Sequence, residues 1–482
     1  MPFTDPQGVP ASTYRLQLWK EFPFAEATKV VPHLHGLGIS HCYCSPILMS
    51  APGSTHGYDV SDYHRIDTEL GGHKAYADFA ARVRERGMGI LLDFVPNHMG
   101  IQGTSNRWWQ DVLECGLSSP HADFFDIDWG EDDAAGPARI LVPILDTHYG
   151  VVLEAGRFAL RFDEATGMIS VHYEDLRFPV RPETYAEILS SAASAEGLAA
   201  EARSALEKLG ADFASLPRTP EGAIERRARE ELRRSLAQAA QDNAAVRDAI
   251  VSRLAQLNGA SGEARSLDAL DGILNQQHYR LAHWKAGAHE INYRRFFAID
   301  TLIGLRMENP KVFDETHALI RGLLRNNLAH GLRIDHIDGL RNPLEYLERL
   351  QSFALPEGAT TAMPLYVVVE KILGEDEELD GAWPAHGTTG YEFIPQLAQV
   401  FVDPGAEQKL TRFYGEFTGC RESFGDVVYA NKRHVLEEMF ANAVSHLGQR
   451  LASLVTADRR WRDLTRHDLV VAIREIMAGL RV

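Results

Sequence analysis

Residues 331–340 read Gly331-Leu332-Arg333-Ile334-Asp335-His336-Ile337-Asp338-Gly339-Leu340, a buried strand that stops on a charged loop. Successive side chains of an extended chain point to opposite faces, so Arg333, Asp335 and Ile337 share one face while Leu332, Ile334 and His336 share the other. A guanidinium two residues from a carboxylate, on the same side, favours the ionised carboxylate even in a partly desolvated setting. A carboxylate nucleophile needs that state. The same pair also serves, without chemistry, to hold a strand end. A second acid stands in Leu365-Tyr366-Val367-Val368-Val369-Glu370-Lys371-Ile372, where Val368, Glu370 and Ile372 share a face. One helix separates the two runs, so in a parallel sheet Asp335 and Glu370 are neighbours at one end. Glycoside hydrolysis uses such a pair, one carboxylate attacking the anomeric carbon and one acid protonating the leaving oxygen, about 5–5.5 Å apart in retaining enzymes. Arg333 is expected to keep Asp335 ionised, and burial among valines to raise the pKa of Glu370 so that it remains a proton donor.

The elements that must position these groups repeat a strand, a polar loop and a helix. Ser12-Thr13-Tyr14-Arg15-Leu16-Gln17-Leu18 is a strand candidate, followed by a helix over 25–37 that Pro32 interrupts. Strands over 39–44 and 89–95 follow, with a helix over 74–86 between them. Strands alternating with helices at this spacing indicate parallel βα units. The loop Pro52-Gly53-Ser54-Thr55-His56-Gly57-Tyr58-Asp59 follows the second strand, and the third ends in Asp93-Phe94-Val95-Pro96-Asn97-His98. Polar side chains at the carboxyl ends of consecutive parallel strands are where α/β barrels keep their chemistry; His98 alone is also read as a hydrogen-bonded structural residue. Tyr58 and the tryptophans offer flat faces to sugar rings.

Between 99 and 288 the rhythm is lost. Trp108, Trp109, Phe124, Phe125 and Trp129 lie in an acidic aromatic stretch, and two runs flanking Asp163-Glu164-Ala165-Thr166-Gly167 form a hairpin. Residues 186–257 turn rich in Ala, Glu and Arg at helical period, with a helix start at Thr219-Pro220-Glu221 and charged faces read as solvated. The rhythm resumes with helices over 310–327 and 343–353 around the strand at Gly331. The expected division is a first barrel part over 1–98, inserted β-containing and helical subdomains over 99–288, and a barrel continuation with a helical extension over 289–482.

A chain of 482 residues with 45% hydrophobic and 24% charged residues has ample material for a globular core. Its formal charge of −18 argues against partners held by phosphate attraction, so neither nucleic acid nor an anionic membrane is expected. Cys42 and Cys44, among four cysteines, sit on one strand and make a poor disulfide framework. Met1-Pro2-Phe3-Thr4-Asp5 carries no basic and apolar leader pattern, and no long apolar run follows. A cytoplasmic protein is expected.

Asp93-Phe94-Val95-Pro96-Asn97-His98, Gly331-Leu332-Arg333-Ile334-Asp335 and Val369-Glu370 resemble, in order, the first three conserved regions of the α-amylase family, glycoside hydrolase family 13, and Gly57-Tyr58-Asp59 matches a further sugar-site element of it. Ser12 to Gln17, Gly57-Tyr58-Asp59-Val60, Ile291-Asn292-Tyr293-Arg294-Arg295-Phe296-Phe297, Asp335 to Leu340 and Gly387-Thr388-Thr389-Gly390-Tyr391 resemble a trehalose-forming branch of that family. The resemblance implies an α/β fold, the (β/α)8 TIM barrel, with a large mixed insertion after the third strand. It implies an isomerase that moves the reducing-end α-1,4 bond of a maltooligosaccharide to an α,α-1,1 bond, its product passed to a trehalose-releasing hydrolase. By the same resemblance Asp335 is the nucleophile and Glu370 the acid/base. Tyr58 stacks on the reacting sugar, Arg333 orients Asp335, Asp93 and His98 bind hydroxyls, and Asp59 and His336 belong to the substrate site. No cofactor is implied. Asn97 offers an oxygen to a calcium ion, but no carboxylate cluster at ligand spacing accompanies it, so no metal is expected.

The family's fourth region, a His-Asp pair with a third carboxylate, has no match. His467-Asp468 leads into a helical pattern over 469–480, so Asp468 is read in a helix's first turn. About six strands are counted where a closed barrel has eight, and the expectation is a chain that stops before the last ones. The alternatives are an α-glucan hydrolase of the α-amylase type, or a non-catalytic α-glucan-binding protein that lacks the third carboxylate.

Overall fold

Asp335 and Glu370 are set by one parallel sheet. The computed structural model describes residues 9–130, 139–217, 224–354, 364–374 and 376–480. The stretch Met1 to Asp5 and the helix start expected at Thr219-Pro220-Glu221 lie outside the described residues. The sheet takes β1 (Thr13–Leu16), α1 (Phe24–Gly36), β2 (His41–Cys44), α2 (Gly72–Glu85) and β3 (Gly89–Phe94) from the first hundred residues. In α1 the buried residues Phe24, Ala27, Val31 and Leu34 recur every three or four positions, which turns one stripe onto the sheet. All six residues of β3 are buried, the continuous apolar run of a parallel strand covered on both faces.

Two excursions interrupt the barrel. The first is the antiparallel pair Leu48–Ser50 and Val60–Ile66. The second begins after His98–Gly100 and contains α3 (Arg107–Cys115), a parallel pair of Ile140–Leu145 with Tyr279–His283, and a three-stranded antiparallel sheet. Phe158–Asp163 and Met168–Tyr173 form the expected hairpin, in register from Phe158 opposite Tyr173 to Asp163 opposite Met168. Helices follow, among them α4 (Arg226–Asp242). The chain re-enters where it left, because Ile299–Gly304 pairs antiparallel with His98–Gly100.

The charged helical faces are not all solvated. Arg229 and Arg233 of α4 are sunk against α3, where Arg229 meets Asp111, Glu114 and Cys115 and Arg233 meets Glu114. Two acids buried beneath a helix need two cations, and α4 supplies them.

After α5 (Pro310–Arg325) come β4 (Gly331–Ile334), α6 (Pro343–Ala354) and β5 (Tyr366–Val369). The strand order is β1-β2-β3-β4-β5, each pair parallel. Five strands therefore stand where about six were counted. The sixth position holds a single parallel bridge of Thr388 with Val369, in which the Val369 N–H donates to Gly387 O at 3.0 Å and the Thr389 N–H to Val369 O at 3.0 Å. No further strand joins this sheet among the described residues.

Residues 393–480 are helical and end in α7 (Arg466–Gly479). Thr465 and Asp468 form its capping box, so Asp468 is the first-turn residue that the pattern indicates. The small core here is Leu436, Val444 and Ala478, while Phe401, Phe417 and Phe424 are 80–84% exposed. Among the described residues no helix is long and apolar enough to cross a membrane.

Candidate active site

At the carboxyl ends of β3, β4 and β5 three acids gather around one guanidinium. Arg333 Nη1 donates to Asp93 Oδ1 at 2.7 Å and to Asp335 Oδ1 at 2.6 Å, and Nη2 lies 2.9 Å from Glu370 Oε1. The register explains it: Arg333 is directly opposite Asp93, and Glu370 follows Val369, which is opposite Ile334. A second guanidinium enters from β1. Arg15 Nη1 donates to Asp93 Oδ2 at 2.8 Å and Nη2 to the Tyr58 hydroxyl at 2.8 Å, while Tyr58 donates to Asp93 Oδ2 at 2.6 Å and Tyr43 to the same oxygen at 3.4 Å. Asp93 is thereby fully engaged by protein donors.

The end of β4 is shaped by His336, whose φ of 46° turns the chain left-handed. That turn aims the His336 N–H at Glu370 Oε2, 2.9 Å away. The Tyr391 hydroxyl donates to Glu370 Oε1 at 3.3 Å. Gly339 is required beneath this turn, because a Cβ there would strike the His336 ring and stand 2.9 Å from Asn97 Oδ1.

Two guanidiniums and three carboxyls are electrically balanced when one carboxyl holds a proton. Glu370 has three donors on its oxygens, whereas Asp335 Oδ2 is buried without a hydrogen-bond partner. The proton therefore rests on Asp335. Burial, with Asp93 and Glu370 nearby and opposed by Arg333, pushes its pKa up to about 8. Glu370 moves the other way: burial is outweighed by Arg333 and the His336 N–H, and its pKa falls below the ordinary value. This reverses the expected assignment, which weighed the valines around Glu370 but not its backbone and hydroxyl donors.

The rings beside the pair come from 293–297 and the 387–391 segment. His98 packs on Phe296 with centroids 4.3 Å apart, and His336 on Phe296 and Phe297 at 5.0 and 5.4 Å. Burial lowers the His98 pKa to about 3, so the imidazole is neutral, and its Nε2 is buried without a partner. The tryptophans do not join. Trp108 and Trp109 are buried in the core, edge-on to Phe124 and Phe125 respectively.

Comparison with known proteins gives this geometry a context. Residues 27–144 match the family model described as alpha amylase, catalytic domain. A putative maltooligosyl trehalose synthase of Mycobacterium tuberculosis is 32% identical over 453 residues, 93% of this chain and 46% of that protein. Over most of its length the chain is similar to maltooligosyltrehalose synthases, and over part of it to the alpha amylase catalytic domain. A solved variant of the maltooligosyltrehalose synthase from Arthrobacter ramosus superposes with a TM-score of 0.67 at 31% identity, covering 97% of this chain and 51% of that one. A hypothetical maltooligosyl trehalose synthase from Sulfolobus tokodaii gives 0.65 at 26%, covering 98% and 48%. The fold is thus of the α-amylase (β/α)8 type, and the chain spans about half the length of the maltooligosyltrehalose synthases that it matches.

Of the residues singled out in sequence, the structure brings Tyr58, Asp93, Arg333, Asp335, His336 and Glu370 into one bonded cluster, and seats His98 beside it. Asp59 is apart from it. Its carboxylate accepts from Ser54 Oγ at 2.5 Å, which ties the loop before Val60 to itself. Asn97 Oδ1 accepts from Arg294 Nη1 at 2.6 Å, so a guanidinium occupies the oxygen considered for calcium. Arg15, Tyr43 and Tyr391 were missed. Alternation along β1 and β2 carries the signal for the first two, since Arg15 is opposite Tyr43 and lies over its ring at 4.4 Å.

Proposed function

We propose that this chain carries the catalytic pair of an intramolecular transglucosylation, which converts the reducing-end α-1,4 bond of a maltooligosaccharide into an α,α-1,1 bond. The observation that carries the reading is the pair itself: Asp335 and Glu370 hang from the two nitrogens of Arg333 at 2.6 and 2.9 Å. Two carboxyls held by one guanidinium suit the short spacing of retaining enzymes, about 5 Å, rather than the wider gap that leaves room for an attacking water. The names of the relatives support trehalose formation.

The pair holds one proton, and the reaction needs it on Glu370. Seating the sugar against Asp335 Oδ2 returns the proton across the pair, with no change in the cluster's charge. Glu370 then protonates the glycosidic oxygen as Asp335 attacks the anomeric carbon, which forms a glycosyl ester and frees glucose. Glucose stays bound, gives the proton of its anomeric hydroxyl to Glu370, and attacks the anomeric carbon of the glycosyl ester through that oxygen, which frees Asp335 as a carboxylate. Arg333 holds both acids, anchored by Asp93. Tyr58 presents its ring to the reacting sugar. His98 Nε2 hydrogen-bonds a hydroxyl, Asp59 braces the loop that carries Tyr58, and His336 shapes the site's edge. The product is non-reducing, so its consumer is a hydrolase that releases trehalose from the chain end.

Incubation of the chain with maltopentaose, following reducing ends and free glucose together, tests this. Reducing ends disappear without glucose release if the reading holds. A rise in reducing ends overturns it in favour of hydrolysis, and binding without either change overturns it in favour of a non-catalytic glucan-binding protein.

A further inference from the structure

Away from the carboxylate cluster, a cavity of about 500 Å³ lies between the Val60–Ile66 strand, the start of α3, Arg226 and α5. Its charges do not balance locally. Four cations, Arg65, Arg107, Arg226 and Lys311, face two acids, Asp62 and Glu315. His64 already bridges both acids, with Nδ1 3.3 Å from Asp62 and Nε2 3.0 Å from Glu315. Its contacts with Asp62 and Glu315 raise its pKa above the ordinary value, so both acids are already engaged by the imidazole. Arg226 is satisfied by Glu230 at 2.8 Å.

The other three cations are loosely held. Arg65 reaches Asp62 only at 3.7 Å, and Lys311 meets the Pro120 carbonyl at 3.5 Å and the Phe124 ring at 5.4 Å. Arg107 makes no hydrogen bond or ion pair among the described residues. Arg65 and Arg107 also line an adjoining cavity of about 310 Å³, where Ser105 Oγ is buried without a partner. In a chain of net charge −18 such a concentration of uncommitted positive charge opposes the general trend.

We propose that this cavity binds a small phosphate-bearing metabolite of hexose-phosphate size, its phosphoryl group on Arg65, Arg107 and Lys311. Guanidinium forks match phosphate oxygens, and a dianion answers several cations where a single carboxylate does not. The volume falls in the range of small-molecule sites, about 300–1,000 Å³. The acidic chain around it repels a polyanion such as nucleic acid and leaves a small ligand as the fit. None of these residues belongs to the carboxylate cluster, so the proposal stands apart from the glucan chemistry.

Titration calorimetry of the purified chain in low salt, with glucose 6-phosphate and separately with inorganic phosphate, tests it. Binding of one equivalent is expected. Tighter binding of the sugar phosphate shows that the sugar is recognised, and equal binding shows that phosphate alone is read. The double variant Arg107→Ala, Lys311→Ala is expected to weaken affinity at least about tenfold, from the loss of charge-assisted hydrogen bonds. Both residues are exposed, so the variant keeps its fold, which a matching thermal melt checks. No heat with either ligand at millimolar concentration, or equal affinity in the double variant, overturns the proposal.

Discussion

Replacing Asp335 with asparagine keeps the side chain's shape and removes the carboxyl that holds the cluster's proton. In the folded protein that carboxyl has a pKa of about 8. In the unfolded chain it returns to about 3.9. Between those values the folded state keeps a proton that the unfolded chain releases, so its contribution is fully present below about pH 4 and is lost as pH rises toward 8. The loss runs at about 1.36 kcal/mol per pH unit. From pH 5 to pH 7, two units, the native chain should therefore lose roughly 2–3 kcal/mol relative to Asp335→Asn. Any constant cost of the amide beside Arg333 cancels in that difference. Urea unfolding of both proteins at pH 5, 6 and 7 measures it. A difference that is flat with pH refutes the placement of the proton, and if the same slope appears instead in Glu370→Gln the proton rests on Glu370.

Other perturbations probe separate parts of the argument. Glu370→Gln should slow consumption of maltopentaose by about a hundred- to ten-thousandfold, the usual range for a general acid, with unfolding midpoints showing that the fold survives. Arg229→Met strips the buried Asp111 of its Arg229 ion pair and leaves Glu114 with Arg233 alone; chemical denaturation should register a loss of about 3–5 kcal/mol, and a change under 1 kcal/mol would deny that α4 is pinned this way. The joint change of Phe401, Phe417 and Phe424 to serine removes exposed apolar surface and should lower self-association in sedimentation velocity.

Period-two alternation was enough to put Arg333 and Asp335 side by side, because a strand allows only two faces and the structure keeps both on one. The same rule found Asp93 and Glu370 at their strand ends. It could not find Arg15, because a lone arginine on a short strand gains meaning only when the register sets β1 within reach of Asp93. The proton's location was misread for a related reason. What lowers the pKa of Glu370 includes a backbone N–H turned by the left-handed His336 and a hydroxyl from Tyr391, and neither shows in the valines that precede it. Trp108 and Trp109 were read as sugar platforms because an aromatic side chain has the same letter inside and outside a core. Trp108 packs against Tyr63 and Phe124 and Trp109 against Phe125 and Tyr293, so both rings are spent on protein.

The bridge of Thr388 with Val369 places Glu370 and Tyr391 at the two ends of a single surface loop. Among the described residues of 371–385 none bonds to the Arg333 cluster, although the segment's ends fix where the acid sits. The segment is itself held, with Leu379, Trp383 and Ala385 packed on the core and Gln351 Nε2 donating to the Pro384 carbonyl at 2.9 Å, so Glu370 and Tyr391 are fixed by a packed span rather than a free one.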